Sequence, residues 1–261
     1  MPHIATNFDH AIVRLPSASV TAGLRATKGC DPSFEGVLAE HRAYVAALQE
    51  AGVTVEILAA LPDFPDSMFV EDPALVFGNG AILLRPGAAS RAGEAALLAP
   101  VLQRRFACLL AVERGRVDGG DVLALPDRVL IGLSSRTDRI GAEALLVCLK
   151  ALGRDGEIVE TPDNVLHFKS DCALLDEQTV LVTTRLAASG VFEGLRTILV
   201  PAGEESAANA LRVNDIVLVS AGFPATLALL RRLGTKVKTL ATAEIAKIDA
   251  GLSCMSLRWQ S

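Results

Sequence analysis

The sequence predicts an α/β fold built radially from about five ββαβ units around one axis. Three observations carry this. An apolar run, a short polar turn and a second apolar run recur four times, with part of a fifth at the N-terminus. Helix-period stretches follow these hairpins, and short strands follow some of the helices. No low-complexity linker or charge block divides the chain, so residues 1–261 are expected to form a single domain with pseudo-fivefold symmetry.

In chain order, Ala11-Ile12-Val13-Arg14-Leu15-Pro16 resembles Ala81-Ile82-Leu83-Leu84-Arg85-Pro86 and marks the partial unit. Phe34 to Ala51 has a helical apolar face at Val37, Leu38, Tyr44, Val45 and Leu48, with Gly52 as its stop. A strand over Val53 to Leu58 follows. The first hairpin is Ala74 to Phe77, turn Gly78-Asn79-Gly80, then Ala81 to Leu84, a glycine-rich turn suited to positive φ. A helix over Ala92 to Phe106 comes next. The second hairpin joins Val122 to Leu125 with Val129 to Ile131, and the helix Ile140 to Leu152 ends at Gly153. The third joins Ala173 to Leu175 with Thr179 to Thr183. The fourth joins Ala210 to Val213 with Ile216 to Ser220 through Asn214-Asp215. Pro224 suits the first position of a helix that ends before Gly234, and Lys236 to Leu240 is a strand. A layered α/β fold is the alternative. Against it, no G-x-G-x-x-G turn opens a helix and no phosphate-binding loop is present.

Composition narrows the function. Apolar residues make up 51% of the chain, ample to offset chain entropy, which excludes a disordered protein. The net charge of −5 argues against an electrostatic nucleic-acid binder. Mean hydropathy is +0.39, yet no apolar run approaches the ~20 residues of a membrane span. No basic start with an apolar stretch opens the chain, so no secretory signal is expected. The five cysteines are odd in number and form no Cys-x-x-Cys, which argues against a disulfide framework or a structural zinc site. Reduced thiols in a cytoplasmic protein are the simpler reading.

The chemistry-bearing residues are few. Of the four histidines, His3 lies near the end, His10 precedes the first strand, and His41 reads as a helix-surface residue. His167, in Leu166-His167-Phe168-Lys169-Ser170 at the entrance to a strand pair, is either catalytic or a structural hydrogen-bonding residue. Cys254, in Gly251-Leu252-Ser253-Cys254-Met255-Ser256, is crowded by small residues that let backbone and substrate come close; a buried small side chain is the alternative. A Cys–His pair is the minimum for thiol nucleophilic catalysis.

Two acidic segments stand out. Asp63, Asp66, Glu71 and Asp72 alternate with the apolar anchors Met68, Phe69 and Val70, which draw neighbouring carboxylates inward. Asp118 and Asp121 flank a glycine pair. Buried carboxylates need cationic partners, and a ligand guanidinium fits where no protein cation does. Arg91 and Arg136 sit in loops after second hairpin strands, at equivalent places that put both on one face; helix-start surface charges are the alternative.

FPDSMFVEDP (64–73), RPGAASRAGE (85–94), VDGGDV (117–122), GLSSRTD (132–138), LHFKS (166–170) and KIDAGLSCMS (247–256) together resemble the dimethylarginine dimethylaminohydrolase family of the guanidine-modifying, or pentein, superfamily. The resemblance runs in order across nearly the whole chain. It implies a five-bladed ββαβ propeller that hydrolyses N-methylated L-arginines to citrulline and an alkylamine through a covalent thiouronium, with no metal or cofactor. It further implies Cys254 as nucleophile and His167 as general acid/base. Asp72 and Asp118 would hold the guanidinium, and some bacterial members carry Glu at the Asp118 position. Asp66 and the Leu24 carbonyl would meet the α-amino group, and Arg91 and Arg136 the α-carboxylate. Glu71 would support the acidic wall, and Ile248 and Asp249 would line the site. Arginine deiminases and agmatine deiminases resemble one another in placing Asp two residues after the catalytic His. Here Lys169 stands at that position, which favours methylated arginine. Other readings are an amidinotransferase and a non-catalytic propeller that binds ligands. The expected partner is a small methylated arginine, with no nucleic acid and no membrane, and a homodimer is compatible with the chain.

Overall fold

The computed structural model describes residues 5–26, 29–163 and 165–261; His3 lies outside them. Among the described residues, fifteen strands form five three-stranded sheets arranged as the blades of a propeller. One blade orders β15 (Leu257–Trp259), β1 (His10–Arg14) and β2 (Thr54–Leu58), so the two ends of the chain close the ring together. The others are β3 (Ala74–Phe77), β4 (Gly80–Leu83), β5 (Leu109–Ala111); β6 (Val122–Ala124), β7 (Val129–Leu133), β8 (Gly156–Glu160); β9 (Cys172–Asp176), β10 (Thr179–Val182), β11 (Arg196–Leu199); and β12 (Leu211–Val213), β13 (Ile216–Ser220), β14 (Lys236–Leu240). In every blade the first two strands pair antiparallel and the third joins parallel after a crossover.

Among the described residues, five helices make the crossovers: α1 (Phe34–Glu50), α2 (Glu94–Arg105), α3 (Arg139–Ala151), the single turn α4 (Thr184–Ala187) and α5 (Pro224–Arg232). Three of these starts carry a clear signal, of which the sequence reading named Pro224 alone. The Ser33 hydroxyl accepts from Gly36 N–H at 3.1 Å, the Asp138 carboxylate accepts from Gly141 N–H at 2.8 Å, and Pro224 opens α5. Their stops at Gly52, Gly153 and Gly234 have φ of 90, 71 and 78°.

The core consists of five buried apolar clusters, each filling a junction between neighbouring blades. Each cluster takes residues from one helix: Tyr44 of α1, Leu98 of α2, Leu145 of α3, Leu186 of α4 and Leu230 of α5. A helix in this fold is therefore wedged between two blades, not laid on one sheet. That corrects the reading of His41 as a surface residue: it is 1% exposed within α1. The outer strands β5, β8 and β11 were not expected from the sequence. They are short and half-exposed, and so lack a clear apolar alternation. No described helix is long and apolar enough to cross a membrane.

Candidate active site

The innermost strands of the blades all start at one end of the axis, so residues just before them converge there. Asp72 precedes β3, Asp118 precedes β6, His167 precedes β9, Asn209 precedes β12 and Cys254 precedes β15. Pseudo-fivefold symmetry thus turns five distant segments into one cluster.

His167 is 13% exposed at its side chain, and its Nε2 lies 3.0 Å from Oδ2 of Asp118. The other oxygen of Asp118 accepts from Gly87 N–H at 2.5 Å, and Asp118 N–H donates to the Thr137 hydroxyl at 3.1 Å. Thr137 and Ser134 both donate to Asp121 at 2.6 Å, and Asp121 also accepts from Phe168 N–H at 2.8 Å. The acid behind the glycine pair thereby fixes the backbone that carries His167. Gly120 is required where it is: a Cβ there would lie 2.7 Å from Nδ1 of His167. Burial by itself lowers the His167 pKa. The hydrogen bond to Asp118 and the charges of Asp72, Asp121 and Asp118 outweigh it and push the value up to about 9.

Cys254 sits in a 3-10 turn over Ser253–Met255 and is half-buried. Its carbonyl accepts from Glu71 N–H at 3.2 Å, and its N–H donates to Gly251 O at 3.3 Å. Gly251 permits close approach to Asn209, whose Oδ1 would meet a Cβ there at 2.3 Å. Burial, then the charges of Glu71 and Asp72, push the thiol up to about 12, against the Gly251 hydrogen bond and Lys169. Asp72 is thus the acid whose field reaches both the sulfur and the imidazole.

The acidic wall is more fully partnered than the sequence suggested. Asp72 pairs with Arg91 and accepts from Gly120 N–H at 3.0 Å. Despite burial, Arg91 and His167 hold its carboxyl below the usual carboxylate range. Glu71 pairs with Lys169 at 2.6 Å and with Arg258 at 3.6 Å, and accepts from the Ser253 hydroxyl at 3.1 Å. Asp66 is buried and accepts from Leu24 N–H at 2.9 Å; burial raises its pKa although Arg91, Leu24 and Arg136 oppose that. Each carboxylate keeps unused lone pairs for a further donor.

The two arginines differ in their surroundings. Arg91 is 4% exposed and held by Asp72, by Glu94 at 2.7 Å, and by the carbonyls of Phe69 at 2.8 Å and Asp66 at 3.3 Å. It is the protein cation that the buried acids required, and the alternative of a surface charge does not hold for it. Arg136 is half-buried, with no carboxylate within ion-pair distance among the described residues, and its charge reaches Asp66. Ile248 is buried and faces Gly23, at which a Cβ would lie 3.2 Å away. Asp249 takes a left-handed φ of 54° and its carboxylate accepts from Ala26 N–H, which ties the Leu24 loop to the Cys254 segment.

Sequence reasoning passed over Asn209, Glu94 and Arg258. Asn209 donates to Ser253 Oγ at 3.1 Å and to the Lys169 carbonyl at 2.9 Å. Its position before β12, matching His167 before β9, was the available signal. Glu94 follows Arg91 at the i+3 spacing of an ion pair. The donor atoms of Asp72, Asp118 and His167 lie within 4.8 Å of one another and are of types that ligate divalent ions, but Arg91 and a shared hydrogen bond already engage them.

Five blades with a cysteine, a histidine and partnered acids at one end of the axis define an enzyme of the guanidine-modifying propeller class. The arginine deiminase family model matches residues 58–211. N(G),N(G)-dimethylarginine dimethylaminohydrolase of Pseudomonas aeruginosa is 38% identical over 97% of this chain and 100% of its own. That of Streptomyces coelicolor is 34% identical over 95% and 96%. A solved structure of the Pseudomonas aeruginosa protein, a cysteine-to-serine mutant complexed with citrulline, superposes with a TM-score of 0.93 at 37% identity, covering 96% of this chain and 99% of that one. The chain belongs to the dimethylarginine dimethylaminohydrolase family.

Proposed function

We propose that the protein hydrolyses asymmetric dimethylarginine and monomethylarginine to L-citrulline and dimethylamine or methylamine, with Cys254 as nucleophile and His167 as general acid and base. The observation that carries this is geometric: Asp72, Asp118 and His167 bring side-chain atoms within 4.8 Å of one another, Asp118 holds the imidazole, and the Cys254 carbonyl is tied to Glu71 N–H, next to Asp72. Asp72 and Asp118 receive the guanidinium N–H groups on their free lone pairs. Asp66 and the Leu24 carbonyl meet the α-amino group. Arg136 meets the α-carboxylate, and Arg91 adds its charge from the wall that it also neutralises. Ile248 and Asp249 close the side under the Leu24 loop, and Glu71 anchors the Cys254 turn.

At neutral pH the free protein holds a thiol and an imidazolium, since their pKa values are about 12 and about 9. A bound guanidinium places positive charge beside the sulfur and favours loss of its proton to solvent, where the released amine later takes one up. The thiolate adds to the guanidinium carbon. His167 donates its proton to the alkylated nitrogen, the C–N bond breaks and a neutral amine leaves. The carbon stays on sulfur as a thiouronium. Neutral His167 then takes a proton from water, hydroxide adds to the same carbon, and the C–S bond breaks to release citrulline. The added hydroxyl gives up its proton as the C–S bond breaks, and that proton goes to the departing sulfur, so thiol and imidazolium are regenerated.

Lys169 bears on selectivity. Its ammonium is engaged by Glu71, and no carboxylate stands there to clamp an unsubstituted guanidinium nitrogen. Room for N-methyl groups follows. Citrulline formation from a panel of dimethylarginine, monomethylarginine, arginine and agmatine tests the reading. Turnover of the methylated substrates is expected to exceed that of arginine, and Cys254→Ser is expected to abolish it in a folded protein. Greater ammonia release from arginine identifies a deiminase instead.

A further inference from the structure

On the side of the axis away from the catalytic end, the inner strands enclose a channel of about 190 Å³. Glu71, Lys169 and Ser253 form its floor, and that layer separates it from Cys254. Its wall is apolar, built on Leu75, Leu123, Leu174 and Leu211 of four inner strands. Arg154 and Arg212 line it toward the hairpin turns.

The charges in this lining do not balance. It contains four cations, Arg154, Lys169, Arg212 and Arg258, and one acid, Glu71. Glu71 is taken by Lys169 and Arg258. Neither Arg154 nor Arg212 has a carboxylate within ion-pair distance among the described residues. Arg154 is half-buried, its guanidinium lies 4.0 Å over the Phe77 ring, and its Nε is buried with no acceptor among the described residues. Arg212 Nε donates to the Asn214 carbonyl and its charge reaches Asp215, which pairs with Lys236 at 2.9 Å, while Asp9 accepts from Ser261 at 3.0 Å; among the described residues, Arg154 is the cation left without an anion. A desolvated guanidinium without an anion is costly, and an apolar wall gains by excluding water.

We propose that this channel is a second ligand site, which takes an amphipathic monocarboxylate of the medium-chain fatty-acid class. The carboxylate pairs with Arg154 and Arg212, and the alkyl tail runs along the leucine wall toward the floor.

The chain has one tryptophan, Trp259, and it lines this channel. Sodium decanoate, titrated below its micellar concentration with saturating citrulline present, is expected to change Trp259 emission saturably, with 1:1 stoichiometry by calorimetry. Decyltrimethylammonium, with the same tail and the opposite charge, is expected to give no saturable change. The variant Arg154→Gln/Arg212→Gln is expected to bind decanoate at least about tenfold more weakly while still forming citrulline. Absence of saturation with decanoate, an equal response to the cationic detergent, displacement by citrulline, or undiminished affinity in a folded double variant overturns the proposal. The charge comparison on the unaltered protein decides the matter even if that variant does not fold.

Discussion

Nε2 of His167 lies 3.0 Å from a carboxylate oxygen of Asp118 whose companion oxygen is pinned by the Gly87 backbone. The imidazole is thus oriented and charged by the same side chain. With the His167 pKa at about 9, the imidazolium is the dominant form at neutral pH. It is a ready proton donor to the leaving amine.

The pH dependence follows from that sign. The general acid is lost as pH rises through about 9, so kcat is expected to fall on the alkaline side. Asp118→Asn removes a charge that favours the imidazolium. The alkaline limb should move to lower pH, and kcat should drop by about 10²-fold. A pH–rate profile of both proteins checks this; an unmoved alkaline limb assigns it to another group.

Glu71 and Asp72 oppose ionisation of Cys254 after burial has already raised its pKa. Inactivation of the free protein by iodoacetamide is therefore expected to be slow at pH 7 and to keep accelerating as pH rises toward 12. Glu71→Gln removes one opposing charge and leaves Lys169 without its partner, so both changes favour thiolate. The variant should lose activity to iodoacetamide faster at a given pH. The readout is loss of citrulline formation, because Cys30 is exposed and alkylates independently.

Arg91 and Arg136 should separate cleanly under substitution. Arg91→Ala strands Asp72 and Glu94 in the interior, and removing one partner of a buried pair costs about 3–5 kcal/mol. Denaturant unfolding should show that loss. Arg136→Ala breaks no carboxylate ion pair among the described residues and should leave stability within about 0.5 kcal/mol. Its effect should instead appear as a raised KM for substrates with an α-carboxylate.

The arginines also mark how far the sequence could be read. The hairpins were legible because two apolar runs around a short turn have few alternatives, and Asn214-Asp215 joins β12 to β13 as expected, with φ of 54° at Asn214. The repeats placed Arg91 and Arg136 on one face, whereas the grouping of Asp72, Asp118, His167 and Cys254 came from the family resemblance. What repetition cannot show is which buried acid meets which cation. Arg91 stands in a loop motif like that of Arg136, yet Glu94 and Asp72 draw it inward. The outer strands β5, β8 and β11 escaped notice because half-exposed edges carry mixed residues. His41 misled because Glu40-His41-Arg42 reads as a solvated helix face, whereas the propeller packs both sides of α1.

His41 also gives a stability signature. It is 1% exposed, neither ring nitrogen has a hydrogen-bond partner among the described residues, and burial followed by the charge of Arg42 holds its pKa down to about 4. The unfolded chain, with an ordinary histidine, protonates near 6.5. Between those values the unfolded state binds more protons than the folded one, so stability rises with pH across the window and falls on acidification through it. The full difference is about 3 kcal/mol. His41→Leu removes the titrating group and fills similar space, so the slope of unfolding free energy between pH 6.5 and 4 should flatten by that amount. Unfolding midpoints in urea at several pH values measure it. A slope unchanged by the substitution assigns the acid sensitivity to carboxylates elsewhere, such as Asp72, whose depressed pKa acts at lower pH.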